Sequence, residues 1–329
     1  MRTGIVLPAG PGVDDLAARA EELGLHSFWL YDTPMVHGDP FVFLSLCAKA
    51  TSRIKLGIGV TSPSLRSAPA AASAFASLNA LAPGRIICGI GTGNTARRTL
   101  GMRPSSVATL ENFTATLQDL CAGRSAGYRE GDRVRSVQFL HTAAAPDPIE
   151  FVVAALGPKA AAVAGRLGTG LISFGLLDPA AWRALRPTGS KSYLITALHV
   201  LSDADHDARD ATGHVVLSLL AFAADNPAFA AQLGPLEQEA VRTFLALRGT
   251  TSASPDRHKA LYRGYLQRIA PQERDLVLPS LMNDLTLVGT RDELVARIAT
   301  LEQAGVDELV IQPVIDPPAE MARLASLLA

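Results

Sequence analysis

The amino-acid sequence predicts a (β/α)8 TIM barrel, carried as a single domain over residues 1–329. Three observations lead there. Short, nearly continuous apolar runs alternate with amphipathic ones, the pattern of a parallel sheet covered by helices on its faces. Eight such runs can be counted, each with its own principal helix. The one long stretch that breaks the alternation, a helical insertion at about 205–280 between strands seven and eight, is flanked by barrel-like units on both sides. A doubly wound open sheet is the runner-up, and eight strand–helix pairs suit it less well.

In order along the chain, residues 3–7 read as the first strand. Residues 13–23 follow with helical spacing of Val13, Leu16, Ala17, Ala20 and Leu23, and Gly24 stops the helix. Residues 26–31 are the second strand and 40–50 a helix. Residues 54–61, rich in glycine and β-branched side chains, are the third strand, and 68–81 an alanine-rich helix closed by Pro83-Gly84. Residues 85–90 are the fourth strand and 107–121 the next helix. The segment 122–148 is a long loop of Gly, Arg, Asp and Pro with a short hairpin around 134–140. The rhythm resumes with a strand at 149–154, a helix at 158–167, a strand at 170–174, a helix at 179–185 and a seventh strand at 192–200. The insertion carries helical segments at 213–224, 227–233, 236–247 and 255–269 and no strand. A helix at 291–304, the eighth strand at 308–312 and a last helix at 318–328 complete the series.

Composition narrows the function. A net charge of −1 does not suit a bulk binder of nucleic acid or of anionic membrane. The N-terminus lacks a signal peptide's apolar stretch, and no apolar run approaches a membrane span, so the expected location is the cytoplasm. Cys47, Cys88 and Cys121 lie far apart and suit core positions better than a disulfide set. His199, His206, His214 and His258 show no metal-ligand spacing, and neither HExxH nor a catalytic GxSxG occurs.

In a barrel of this kind the chemistry sits at the carboxyl ends of the strands, which reduces the search to a few loops. After strand two come Tyr31, Asp32, Thr33 and, further on, His37. After strand three come Thr61 and Arg66, after strand four Gly91-Thr92-Gly93-Asn94, after strand five Leu156-Gly157, and after strand six Gly175. Asp32 is a strand-end carboxylate, a candidate catalytic group with a loop-fixing hydrogen bond as the plainer alternative. His37 titrates near neutrality and is a candidate general acid, against an exposed loop histidine. Asn94 is a candidate hydrogen-bonding group, or else a helix cap. The turn at 91–93 lets backbone N–H groups approach a phosphate, although a strand-to-helix turn needs glycine in any case. Arg66, Arg97, Arg98 and Arg103 are candidates for the lining of a groove for an anionic tail.

Taken in order, several segments resemble one superfamily: Trp29-Leu30-Tyr31-Asp32, Asp39-Pro40-Phe41, Lys55 to Pro63, Pro83 to Asn94, Ala154 to Lys159, Val288 to Leu294 and Gly305 to Val310. This pattern is similar to that of the luciferase-like monooxygenases, in the branch of methylenetetrahydromethanopterin reductase and other enzymes that use the deazaflavin coenzyme F420. The resemblance implies a cofactor ring across the barrel mouth and a non-proline cis peptide at Gly59-Val60, beside Thr61, that backs the ring. It implies phosphate contacts at Gly91, Thr92 and Gly93 with help from Leu156-Gly157 and Gly175, and an acidic residue, Asp32, near the reactive ring. It also implies a homodimer paired through barrel helices. Two departures stand out. Thr33 replaces the histidine that many deazaflavin relatives carry, and Asn94 replaces the glutamate of sugar-oxidising members, which argues against sugar-phosphate oxidation. The expected activity is hydride transfer between coenzyme F420 and a small organic or natural-product substrate. The alternatives are a reduced-FMN monooxygenase and a non-catalytic flavin-binding barrel.

Overall fold

The computed structural model describes residues 1–141, 147–201 and 207–327. Eight parallel strands close into a barrel: β1 Arg2–Leu7, β2 Ser27–Leu30, β3 Lys55–Thr61, β4 Ile86–Ile90, β5 Glu150–Ala154, β6 Gly170–Phe174, β7 Ser192–Thr196 and β8 Glu308–Ile311. Each strand pairs with its sequence neighbour, and β1 pairs with β8 to complete the ring. The strands read as nearly continuous apolar runs because both faces are buried. Ile5, Leu7, Phe28, Leu30, Ile86 and Cys88 pack outward against the helices. Val6, Trp29, Ile87, Val152, Ile172, Tyr193, Ile195 and Val310 fill the barrel interior. Trp29 sets a local constraint: its register partner on β3 is Gly57, where any Cβ would drive into the indole ring.

The main helices start on local signals that were visible in the sequence. Asp39 caps Pro40–Ala50, Ser67 caps Ala68–Leu81, Ser106 caps Val107–Cys121, and Thr290 with Glu293 forms a capping box on Arg291–Gln303. Cys47 and Cys88 are buried and Cys121 partly so.

Three local readings need correction. The seventh strand does not run through residue 200. It ends at Thr196, and Leu198–Val200 leaves the barrel to pair in parallel with Leu287–Gly289, a strand too short to announce itself in the sequence. The hairpin after the fourth main helix lies earlier than 134–140, at Ala126–Glu130 and Arg133–Val137; residues 142–146 of that loop lie outside the described residues. The helix expected over 255–269 is only Arg257–Leu261. Beyond it the chain turns through Gly264 (φ 68°) and Leu266 (φ 54°), a path that helical periodicity does not reveal.

Between β7 and β8, helices Ala208–Ala224, Pro227–Ala230, Pro235–Leu247, Arg257–Leu261 and Pro279–Leu285 share an apolar cluster centred on Val216, Leu220, Phe244, Leu261 and Val277. His206 lies outside the described residues. His214, on the first of these helices, is fully buried, and neither ring nitrogen has a hydrogen-bond partner among the described residues. At the amino-terminal end of the barrel Glu308 is 1% exposed; one carboxylate oxygen accepts from the Ser27 hydroxyl, and the other makes no hydrogen bond among the described residues and lies 3.7 Å from His26 Nε2.

Candidate active site

The carboxyl ends of β2, β3 and β4 bring together most of the residues singled out from sequence. The peptide Gly59-Val60 near the end of β3 is cis, and the pairing of β3 with β4 shifts register between Ile58 and Thr61. Asp32 follows β2 and is 3% exposed. Its Oδ2 makes no hydrogen bond among the described residues, and neither does the hydroxyl of Thr61 beside it. Arg66 Nη1 lies 3.7 Å from Asp32 Oδ2 while the same guanidinium pairs with Asp39 and sits 4.4 Å from the centre of the Phe41 ring. Burial pushes the Asp32 carboxyl above the usual carboxylate range; Thr61 and Arg66 pull it partly back. Asp32 Oδ2 thus has only loose neighbours in Thr61 and Arg66, and a ligand or a water would complete its hydrogen bonding.

His37 is not an exposed loop histidine. Its ring stacks on Tyr31 with centroids 6.0 Å apart, and burial lowers its pKa to about 4. At neutral pH it is an uncharged imidazole, which weakens the reading of His37 as a proton donor. Asn94 neither caps a helix nor points freely: Gly93 occupies the cap position, and the Asn94 side-chain oxygen accepts from Arg98 Nε at 2.7 Å.

The turn after β4 is tightly built. Gly91 donates its N–H to the Thr61 carbonyl at 2.9 Å, and a Cβ there would lie 2.9 Å from Val60 Cγ2. Gly93 has φ 78° with Ser62 packed against it. Those two glycines therefore have structural reasons of their own, and the Gly91 N–H is committed. The N–H groups of Thr92 and Gly93 have no partner among the described residues. Gly157 differs: it precedes helix Pro158–Leu167, carries no side-chain cap, and a Cβ would meet nothing within 4 Å. Leu156 beside it is 68% exposed. Gly175 has φ 64° and packs on Leu285.

The arginines near this turn mostly face other partners. Arg98 pairs with Asp225 and lies 5.3 Å from the Phe222 ring centre, tying the turn to the segment between β7 and β8; Arg97 donates to the Arg103 carbonyl. Residues not anticipated from sequence close the mouth. Gln312, directly after β8, accepts from the Tyr31 hydroxyl at 2.8 Å and donates to the Leu266 carbonyl at 2.6 Å. The Leu266 side chain is 8% exposed and joins the cluster that fills the barrel, and Thr95 donates to the Tyr265 hydroxyl at 3.2 Å. A polar residue ending an apolar strand was the available signal for Gln312. Nothing local marked Tyr265 or Leu266, because their role comes from a return path through the insert.

Fold and site define a (β/α)8 barrel with a buried carboxylate and a glycine turn at its carboxyl end, beneath inserted helices. A family profile described as luciferase-like monooxygenase matches residues 8–308, and the chain belongs to that family. The chain is 26% identical over 316 residues to the 5,10-methylenetetrahydromethanopterin reductase of Methanolobus tindarius, covering 93% of this chain and 91% of the relative. It is 37% identical over 171 residues to an F420-dependent glucose-6-phosphate dehydrogenase of Kineococcus radiotolerans, covering 48% of this chain and half (50%) of that relative. In structure it resembles the coenzyme F420-dependent tetrahydromethanopterin reductase of Methanopyrus kandleri, with a TM-score of 0.67 at 18% identity over 98% of this chain and 97% of that one.

Proposed function

We propose that this chain is an F420-dependent oxidoreductase, a reductase or dehydrogenase of a small organic substrate, acting as one domain with Asp32 as the group that moves the accompanying proton. The observation that carries the reading is the buried Asp32 carboxyl at the barrel mouth, flanked by the Thr61 hydroxyl and by Arg66 at 3.7 Å but with no close hydrogen bond at Oδ2, beside the cis Gly59-Val60 peptide. Family membership and relatives named as F420-dependent support the cofactor.

The residues present fit such a cofactor. Val60, at the cis peptide, remains partly exposed at the mouth and is suited to back a planar ring. The uncommitted N–H groups of Thr92 and Gly93, and the open, uncapped start of helix Pro158–Leu167 at Gly157, suit a phosphate. When bound, the deazaflavin supplies the hydride chemistry. The chain's own part is geometry, electrostatics and exclusion of water. Asp32, with its pKa raised by burial, can hold or release a proton at Oδ2, and Arg66 at 3.7 Å stabilises the ionised form. Thr61 offers a hydroxyl to the same polar atom of substrate or ring. His37 and Asn94 serve as supports in this scheme, since one is neutral and stacked and the other is engaged by Arg98.

The test is a titration of the purified protein with F420 and with FMN, followed by turnover with a substrate panel. F420 binding and substrate-dependent hydride transfer are expected. Tight FMN binding without F420 binding would instead select a flavin monooxygenase.

We also place the chain in the cytoplasm as a homodimer. No helix among the described residues is long and apolar enough to cross a membrane. Helix Pro40–Ala50 turns Val42 (60% exposed) and Leu46 (46%) outward one helical turn apart, a face suited to a second copy.

A further inference from the structure

Leu266 is the one non-glycine residue with positive φ among the described residues, and it sits over the barrel mouth. A bulky side chain in the left-handed region is an outlier that surrounding structure has to enforce. The enforcing contacts are visible. Tyr265 is held by Thr95, in the short helix Asn94–Arg98 that follows β4, and the Leu266 carbonyl is held by Gln312, just after β8. In the closed ring β4 and β8 stand opposite one another, with three strands between them on either side. The dipeptide is therefore tied to segments that follow two opposite strands. The Leu266 side chain enters the barrel cluster that also holds Trp29, Tyr31, Ile195 and Val310, whereas Val60, Ala154 and Phe174, at the ends of β3, β5 and β6, stay partly exposed.

We propose that Tyr265 and Leu266 form a strap across the mouth, latched by Gln312 and Tyr31, that has to lift Leu266 before a planar ring and its substrate can both be seated. The strap thereby decides which ligands the site admits. The proposal rests on the mouth being the ligand site, as argued above. Gln312 is an effective latch because both ends of its amide are used, one by the Tyr31 hydroxyl and one by the strap's backbone. Loss of Gln312 frees the strap and leaves the barrel strands in place. Glycine at 266 relieves the left-handed conformation and empties the space that leucine fills.

Two measurements test this on the full chain. In hydrogen exchange without cofactor, the amides of residues 262–269 are expected to be protected in the wild type and to exchange about tenfold faster or more in Gln312→Leu and Tyr265→Phe, with β1 to β8 unchanged. In stopped-flow binding of F420, the wild-type rate is expected to level off with ligand concentration, and Leu266→Gly to raise that ceiling by about tenfold. A strap as unprotected as free loop in the wild type, or protection unaltered in both latch variants, overturns the proposal. So does F420 binding whose rate agrees within about twofold across wild type and variants. If neither F420 nor FMN binds, the functional reading fails, and the exchange result alone decides the strap.

Discussion

At the scale of single residues, the site turns on how burial alters familiar groups. Asp32 is an ordinary carboxylate in sequence; in the fold it has lost water at Oδ2 and gained in exchange the nearby Thr61 hydroxyl and a guanidinium at 3.7 Å. Asp32→Asn keeps the shape and removes the proton, so kcat should fall by about 10²–10⁴ while F420 affinity changes little, checked by steady-state kinetics beside a binding titration. An equal loss of binding would reassign Asp32 to holding the cofactor. His37, lowered to about 4 by burial, is already neutral through the usual assay range. A pH–rate profile of His37→Phe should therefore keep every inflection the wild type shows above about pH 5. Leu266 illustrates a different residue-scale effect: a left-handed leucine costs roughly 1–2 kcal/mol, which the surrounding hydrogen bonds and packing have to offset.

At the scale of elements, two buried groups that take no part in the proposed chemistry link stability to pH with opposite signs. Glu308, where β8 begins, is raised by burial to about 7 from an ordinary 4.5. Between those values the folded chain binds the proton more tightly than the unfolded one, so stability falls as pH rises through that window, by roughly 3 kcal/mol in full. His214, in helix Ala208–Ala224, is lowered by burial to about 3 from 6.5. There the unfolded chain takes the proton first, so stability falls as pH drops below 6.5, by about 1.4 kcal/mol per unit at most. From 4.5 to 6.5 the two slopes oppose each other, and His37 adds to the histidine side. Denaturant melts from pH 5 to 8 check this. Glu308→Gln should gain stability over wild type as pH rises, and His214→Leu should gain as pH falls. Parallel curves for wild type and Glu308→Gln would mean that the carboxyl is solvated.

At the scale of the whole molecule, helix Pro40–Ala50 displays its exposed apolar positions on the outside of the barrel, away from the core-facing Leu44 and Cys47. Introducing charge there with Val42→Asp and Leu46→Lys should leave the melting temperature nearly unchanged and convert a dimer to a monomer. Light scattering after size exclusion measures it; a wild type that is already monomeric removes this helix as an interface. The inserted helices are a second whole-molecule feature. They are bound to the barrel through Arg98–Asp225 and through the Gln312–Leu266 hydrogen bond, so that the two sides of the candidate site come from segments far apart in the chain.

The barrel was legible in the amino-acid sequence because its physics is local and repeated. Apolar runs buried on two faces, stop signals such as Gly24 and caps such as Asp39 and Thr290 each act within a few residues. That Asp32, Gly91 to Asn94 and Gly157 follow strand ends was legible for the same reason, and it is this position that makes them candidates in a fold of this kind. Tertiary structure alone decided what those residues have as neighbours. Arg98 takes Asn94, Tyr31 takes His37, Leu266 takes the middle of the mouth, and β7 ends at Thr196 because residues 198–200 find a partner at 287–289. The Leu266 and β7 choices depend on contacts between segments tens to hundreds of residues apart, whereas Arg98 with Asn94 and Tyr31 with His37 lie four and six residues apart and depend on how the side chains orient in their turns; a periodic pattern carries information about neither.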